Sequence, residues 1–141
     1  MFRKILVGFD GSDGAKKALR RAIELAKASG TALHVVAVIE KLPHFAATMG
    51  EVKDALEALR VKYEWFVQEA IHEAEHEGVK ATGKAVPGHE VETIVTAVKE
   101  GGHDLLVIGF MGHSRSFGGW AMGSTTQSLA RLAPCSVMIV K

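Results

Sequence analysis

Cysteine is almost missing from this chain: Cys135 stands alone among 141 residues. No disulfide can form within the chain, and such a composition fits a reducing compartment. A charge excess is missing as well. Seventeen Lys and Arg face sixteen Asp and Glu, so no overall field points to nucleic acid or to an anionic membrane. No apolar run is long enough to cross a bilayer. The opening Met1-Phe2-Arg3-Lys4 runs straight into an apolar segment with none of the features of a signal peptide. The expectation is therefore a cytoplasmic protein with neither nucleic acid nor membrane as a partner. Catalytic signatures are also lacking. There is no Gly-Lys-Ser/Thr of a phosphate-binding P-loop, and neither the His-Ile-Gly-His nor the Ser-Gly-Gly-x-Asp-Ser signature of nucleotidyl transfer.

Apolar residues, at 48% of the chain, are plentiful, and 141 residues suffice for one domain with one core. Their pattern alternates between short runs and helical stretches. Strands are expected at 5–9, 33–39, 80–86, 105–108 and 136–140. Helices are expected at 13–29, 51–77, 90–100 and from about 124 to 132. Ser12 is placed to cap the first helix and Gly30 to stop it. Its basic residues Lys16, Lys17, Arg20 and Arg21 fall opposite Ala18, Ala22 and Leu25, which describes a solvated face. Alternation of this kind requires a parallel sheet covered on both sides. The expected fold is a single doubly wound α/β domain with five parallel strands in the order 3-2-1-4-5. Ligands of such folds bind beyond the carboxyl ends of the strands, where strand order reverses. That rule selects two loops, Asp10-Gly11-Ser12 and residues 109–125.

The second loop is rich in glycine: Gly109, Gly112, Gly118, Gly119 and Gly123 lie between a buried strand and a helix. Glycine lets backbone N–H groups come close to phosphate oxygens, and a helix N-terminus adds positive potential. Ser124, Thr125 and Thr126 can donate from hydroxyls, and His113 and Arg115 can supply charge. His72-Glu73-Ala74-Glu75-His76 matches the H-E-x-x-H pattern of zinc hydrolases. The apolar stripe of its helix passes through Ala70 and Ala74, however, which turns His72, Glu73 and His76 to solvent, and no third ligand is evident. No metal-ligating residue is assigned. His34, inside a strand, has a structural role, and His103 lies in a turn. His44, Phe45 and Met49 are apolar enough in company to form a lid near Asp10.

With these residues in place, the sequence resembles the universal stress protein family over nearly its whole length. The resemblance rests on the strand ending in Asp10-Gly11-Ser12, on the Ala-Leu-His-Val-Val segment from Ala32, and on the Asp-Leu-Leu-Val-Ile-Gly segment from Asp104. It rests also on Ser128-Leu129 and on Ala133-Pro134-Cys135-Ser136-Val137. ATP-binding members space their glycines as Gly, two residues, Gly, nine residues, Gly-Ser or Gly-Thr. Here Gly109, Gly112 and Gly123-Ser124 follow that order with ten residues in the second gap.

The resemblance implies that Asp10 meets the adenine and that Val38 contacts it through its backbone. It implies that Gly109 and Gly112 approach ribose and phosphates, while Gly123, Ser124 and Thr125 cradle the phosphates. The ligand implied is ATP, or AMP or ADP, with or without Mg2+. With no Walker lysine and no evident base, hydrolysis would be slow at most. The reading carried forward is a stress-response or signalling protein that binds ATP. The alternative is a homodimeric interaction module of the same family without nucleotide, joined through the apolar C-terminal strand.

Overall fold

A computed structural model describes residues 1–40, 48–111 and 121–141. The elements run β1 (Ile5–Gly8), α1 (Asp13–Ser29), β2 (Leu33–Ile39), α2 (Met49–His76), β3 (Ala81–Pro87), α3 (Glu90–Gly101), β4 (Leu105–Gly109), α4 (Ser124–Leu132) and β5 (Ser136–Val140). All five strands are parallel, in the order β3-β2-β1-β4-β5. The doubly wound sheet expected from the alternation is thus the observed one.

Strand β1 lies at the centre, with Val7 paired to Val35 on β2 and to Val107 on β4. Both faces of β1 and β4 are covered, which explains why they read as continuous apolar runs rather than as alternating ones. On one face Ile5, Val7, Leu33 and Val35 pack against Ala18, Leu19 and Ala22 of α1 and Ala70 and Ala74 of α2. On the other, Leu6, Val36, Leu106 and Ile108 pack against Ile94 and Val98 of α3 and Leu129 of α4. Alanines on α1 and α2 let those helices lie close to the strands.

Local chemistry sets the element ends. The Ser12 hydroxyl accepts from Ala15 N at 3.2 Å, and Gly30 closes α1 in the left-handed region at φ 64°. Helix α2 begins two residues before the expected position. Thr48 and Glu51 form a reciprocal capping box there, which fixes the first turn. Strand β3 lies at the sheet edge, and its Thr82, Gly83 and Lys84 are exposed. That exposure accounts for its weak apolar signal in the sequence.

Candidate functional site

A cavity of about 320 Å³ opens at the carboxyl ends of β1, β2 and β4. This is the crevice at which strand order reverses, since β2 and β4 flank β1 on opposite sides. Asp10, Ser12, Val38, Gly109, Gly123, Ser124 and Thr125 all line it. Residues from four separate segments are therefore brought to one place.

The turn after β1 is built on Asp10. One of its carboxylate oxygens accepts from the Ser12 backbone N–H at 2.9 Å and from the Ser12 hydroxyl at 2.5 Å. Ser12 in turn caps α1, so the carboxylate and the helix start are a single structure. Gly11, expected beside Asp10 in the site, is not among the lining residues. It takes φ 78°, and a Cβ there would meet the Phe66 ring of α2 at 2.7 Å. Its smallness serves the turn and the seating of α2.

The two ends of the glycine-rich segment behave differently. At Gly109 an added Cβ would meet the carbonyl carbon of Gly14 at 2.8 Å, and one at Gly14 would run into the Met111 carbonyl oxygen. This bare pair lets the first turn of α1 approach the end of β4. Gly123 begins α4 as its N-cap and supplies no side chain to the first-turn amides. The chain is tied down around it: Gly123 N donates to Phe110 O at 3.0 Å, and the buried Thr126 hydroxyl donates to Gly109 O at 2.8 Å. Phe110 does not line the cavity; its ring lies 5.5 Å from the Lys141 ammonium. Gly112, His113 and Arg115 lie outside the described residues, as do His44 and Phe45 of the expected lid. Met49, the third lid residue, starts α2 with 91% of its surface exposed.

Several lining residues escaped the sequence reading: Glu40, Tyr63, Glu90 and Met111. Glu40 directly follows β2 and Glu90 opens α3, so both obey the carboxyl-edge rule that selected Asp10. Tyr63 comes from the middle of α2, seven positions before Ala70, and so keeps the spacing of that helix's apolar stripe. Burial raises its phenol above the usual range, and the carboxylates of Asp10, Glu90 and Glu40 push it further in the same direction. The Tyr63 hydroxyl therefore stays protonated, a donor facing acceptors. The Thr125 hydroxyl lies 3.5 Å from a Glu90 carboxylate oxygen, which links the starts of α3 and α4.

His72, Glu73 and His76 are exposed on α2, as the apolar stripe requires. Among the described residues no three His, Cys, Asp or Glu side chains gather as a metal site would. No helix among them is long and apolar enough to cross a membrane.

Fold and cleft together define a small doubly wound α/β protein with a crevice at its switch point. The chain belongs to the universal stress protein family, whose sequence profile matches residues 1–141. It is 33% identical to a universal stress protein of Thermus aquaticus, with all of both chains covered. Its structure resembles that of UspA from Lactobacillus plantarum with a TM-score of 0.88 at 25% identity, over 99% of this chain and 97% of the other. A universal stress protein solved in complex with cAMP matches with a TM-score of 0.75 at 28% identity, over 99% and 97% of the two chains. One from Archaeoglobus fulgidus in complex with dAMP matches at 0.70 and 25%, over 99% and 98%.

Proposed function

We propose that this protein binds an adenine nucleotide in the crevice between the β1 and β4 loops and works as a cytoplasmic stress-response or signalling module. The observation that carries the reading is Gly123. It is buried and lines the cavity. Its backbone, at φ −59° and ψ 148°, is one that any residue adopts, and among the described residues an added Cβ would meet nothing nearer than 3.6 Å. Neither conformation nor packing calls for glycine there, whereas a phosphate drawn up to the backbone does. The helix behind it starts without a side-chain cap, so its first-turn amides are available to an anion.

In this reading Gly123, Ser124 and Thr125 hold phosphate, and Gly109 lies under the ribose. Asp10 and the Val38 backbone meet the base, where a carboxylate acts as an acceptor away from the phosphate charge. The relatives solved with cAMP and dAMP support an adenine nucleotide as the class. ATP, ADP and AMP are the candidates, with Mg2+ accompanying a triphosphate. Turnover, if any, is slow.

The test is to denature the purified protein, separate the supernatant by ion exchange, and measure melting temperature with each nucleotide added. Co-purified adenine nucleotide, or a melting temperature that rises with concentration, is expected. Neither signal from any adenine nucleotide would sink the reading. The alternative of a nucleotide-free homodimer would then lead, because β5 is an edge strand whose Val137, Met138, Ile139 and Val140 are only partly covered.

A further inference from the structure

Two histidines at the amino-terminal edge of the sheet take no part in the crevice. His34 lies on β2, on the same side as Val36 and Val38, and His103 lies in the turn from α3 to β4. Their rings meet edge to face, with centroids 5.0 Å apart and planes at 76°. His103 Nε2 is 3.1 Å from His34 Nδ1, and His103 Nδ1 is 3.3 Å from the Ala97 carbonyl oxygen in the last turn of α3.

These contacts fix the protons. A carbonyl only accepts, so His103 Nδ1 must carry hydrogen. In the neutral ring His103 Nε2 is then bare and accepts, which requires the hydrogen on His34 Nδ1. His34 Nε2 is left as the free basic nitrogen. One added proton can go there without disturbing either hydrogen bond. A second must go to His103 Nε2, where it would set N–H against N–H and break the link between the rings.

The ring of His103 is also seated by its surroundings. A Cβ on Gly101 would run into His103 Cε1. Gly101 lies inside α3, outside the left-handed region, so the ring rather than the backbone accounts for its bareness.

We propose that His34 and His103 form a proton-counting clasp that holds the carboxyl-terminal end of α3 to β2, closed with no or one added proton and opened by two. The other end of α3 forms the crevice wall through Glu90 and Ile94, so opening the clasp loosens that wall. Burial, then the nearby Lys4 ammonium, holds His34 below the ordinary histidine value. Burial, then His34 and Lys4, does so for His103 against the opposing pull of the Ala97 and Val98 backbone. The strand neighbours of His34 are Leu6 and Thr82, both uncharged. Lys84 on β3 and Lys99 and Glu100 on α3 are exposed, and the Asp104 carboxylate is taken by the Arg3 and Lys4 backbone N–H groups. Because both folded values are depressed, the unfolded chain takes up protons first as pH falls. The clasp's contribution is complete above the ordinary histidine pKa of 6.5 and is lost below it.

Histidine-labelled protein examined by ¹⁵N NMR near pH 8 is expected to show both rings as Nδ1–H tautomers; an Nε2–H tautomer at His103 overturns the clasp. This reading uses the wild-type protein and is independent of any variant's folding. The fall in melting temperature between about pH 7.5 and about pH 5.5 should be roughly halved in His34→Gln/His103→Gln. Gly101→Ala, which displaces the His103 ring while both histidines remain in the chain, should do the same. Profiles parallel to wild type in both variants would refute it. The Ile94 δ-methyl signal should move with the acid-side titration in wild type and stay still in the double variant; an unmoved wild-type signal removes the link to the crevice.

Discussion

The two edges of the sheet are made of the same parallel strands and finished in opposite ways. At the amino edge the protein satisfies itself. The Asp104 carboxylate accepts from Arg3 N at 2.8 Å and Lys4 N at 2.9 Å, the Thr31 hydroxyl donates to Arg3 O at 2.7 Å, and the two histidines bond to one another. At the carboxyl edge α4 starts on a glycine with no side-chain cap, and polar groups from four segments surround a cavity of about 320 Å³. Polar groups closed on each other contribute stability, while a helix start without a side-chain cap, set at a cavity, leaves backbone amides to a ligand. Gly109 and Gly123, at either end of the β4–α4 connection, repeat the contrast within the carboxyl edge itself. The first is bare because backbone crowds it, and the second is bare where none of the described residues does.

Gly109→Val tests the crowded glycine and should have the largest effect. The atoms a Cβ would meet, the carbonyl carbon and oxygen of Gly14 at 2.8 and 2.9 Å, are backbone and cannot rotate aside. Relief means lifting α1 from β4, at a cost of about 1–3 kcal/mol. A lowered urea midpoint at an unchanged slope would record it. An unchanged midpoint would mean that α1 tolerates a wider seat and that the two glycines do not differ as described.

Gly123→Val comes next and should separate stability from binding. An added Cβ there is in ordinary contact with the described residues, and the change at an N-cap costs about 1 kcal/mol. It fills the place from which a phosphate would meet the backbone, so the nucleotide-dependent rise in melting temperature should disappear. A variant that kept the full shift would move the phosphate away from α4.

Much of this contrast was legible in the sequence, and the missing parts have a common cause. The strands, the Ser12 cap and the Gly30 stop are local: each is decided by residues within a turn of one another. Asp10, Gly109 and Gly123 could be selected because a topological rule places such loops together. What escaped depends on contacts between distant segments. Glu90 meets Thr125 across 35 positions, and His34 meets His103 across 69. Tyr63 kept the helical spacing of a core residue, so nothing in its own helix marked it as a wall of the crevice. Gly11 was read as part of the site because its neighbours are; only the placement of Phe66 shows what its missing side chain accommodates.

The smallest predicted effect belongs to the amino edge and is confined to acid. The backbone N–H groups of Arg3, then of Lys4, hold the Asp104 carboxyl below the usual range, with the Arg3 guanidinium adding a lesser push the same way. A depressed carboxyl contributes stability that is present above its ordinary value of 3.8 and is lost as pH falls through the folded value. Asp104→Ala should therefore melt slightly below wild type at neutral pH, and the two curves should converge in acid, beneath the ordinary value of 3.8. This window lies well beneath that of the histidine pair, so two acid steps at the same edge can be told apart by which variant removes each. If Asp104→Ala stayed equally destabilised from neutral pH to strong acid, the loss would come from packing. The charge on the carboxylate would then contribute nothing to closing that edge.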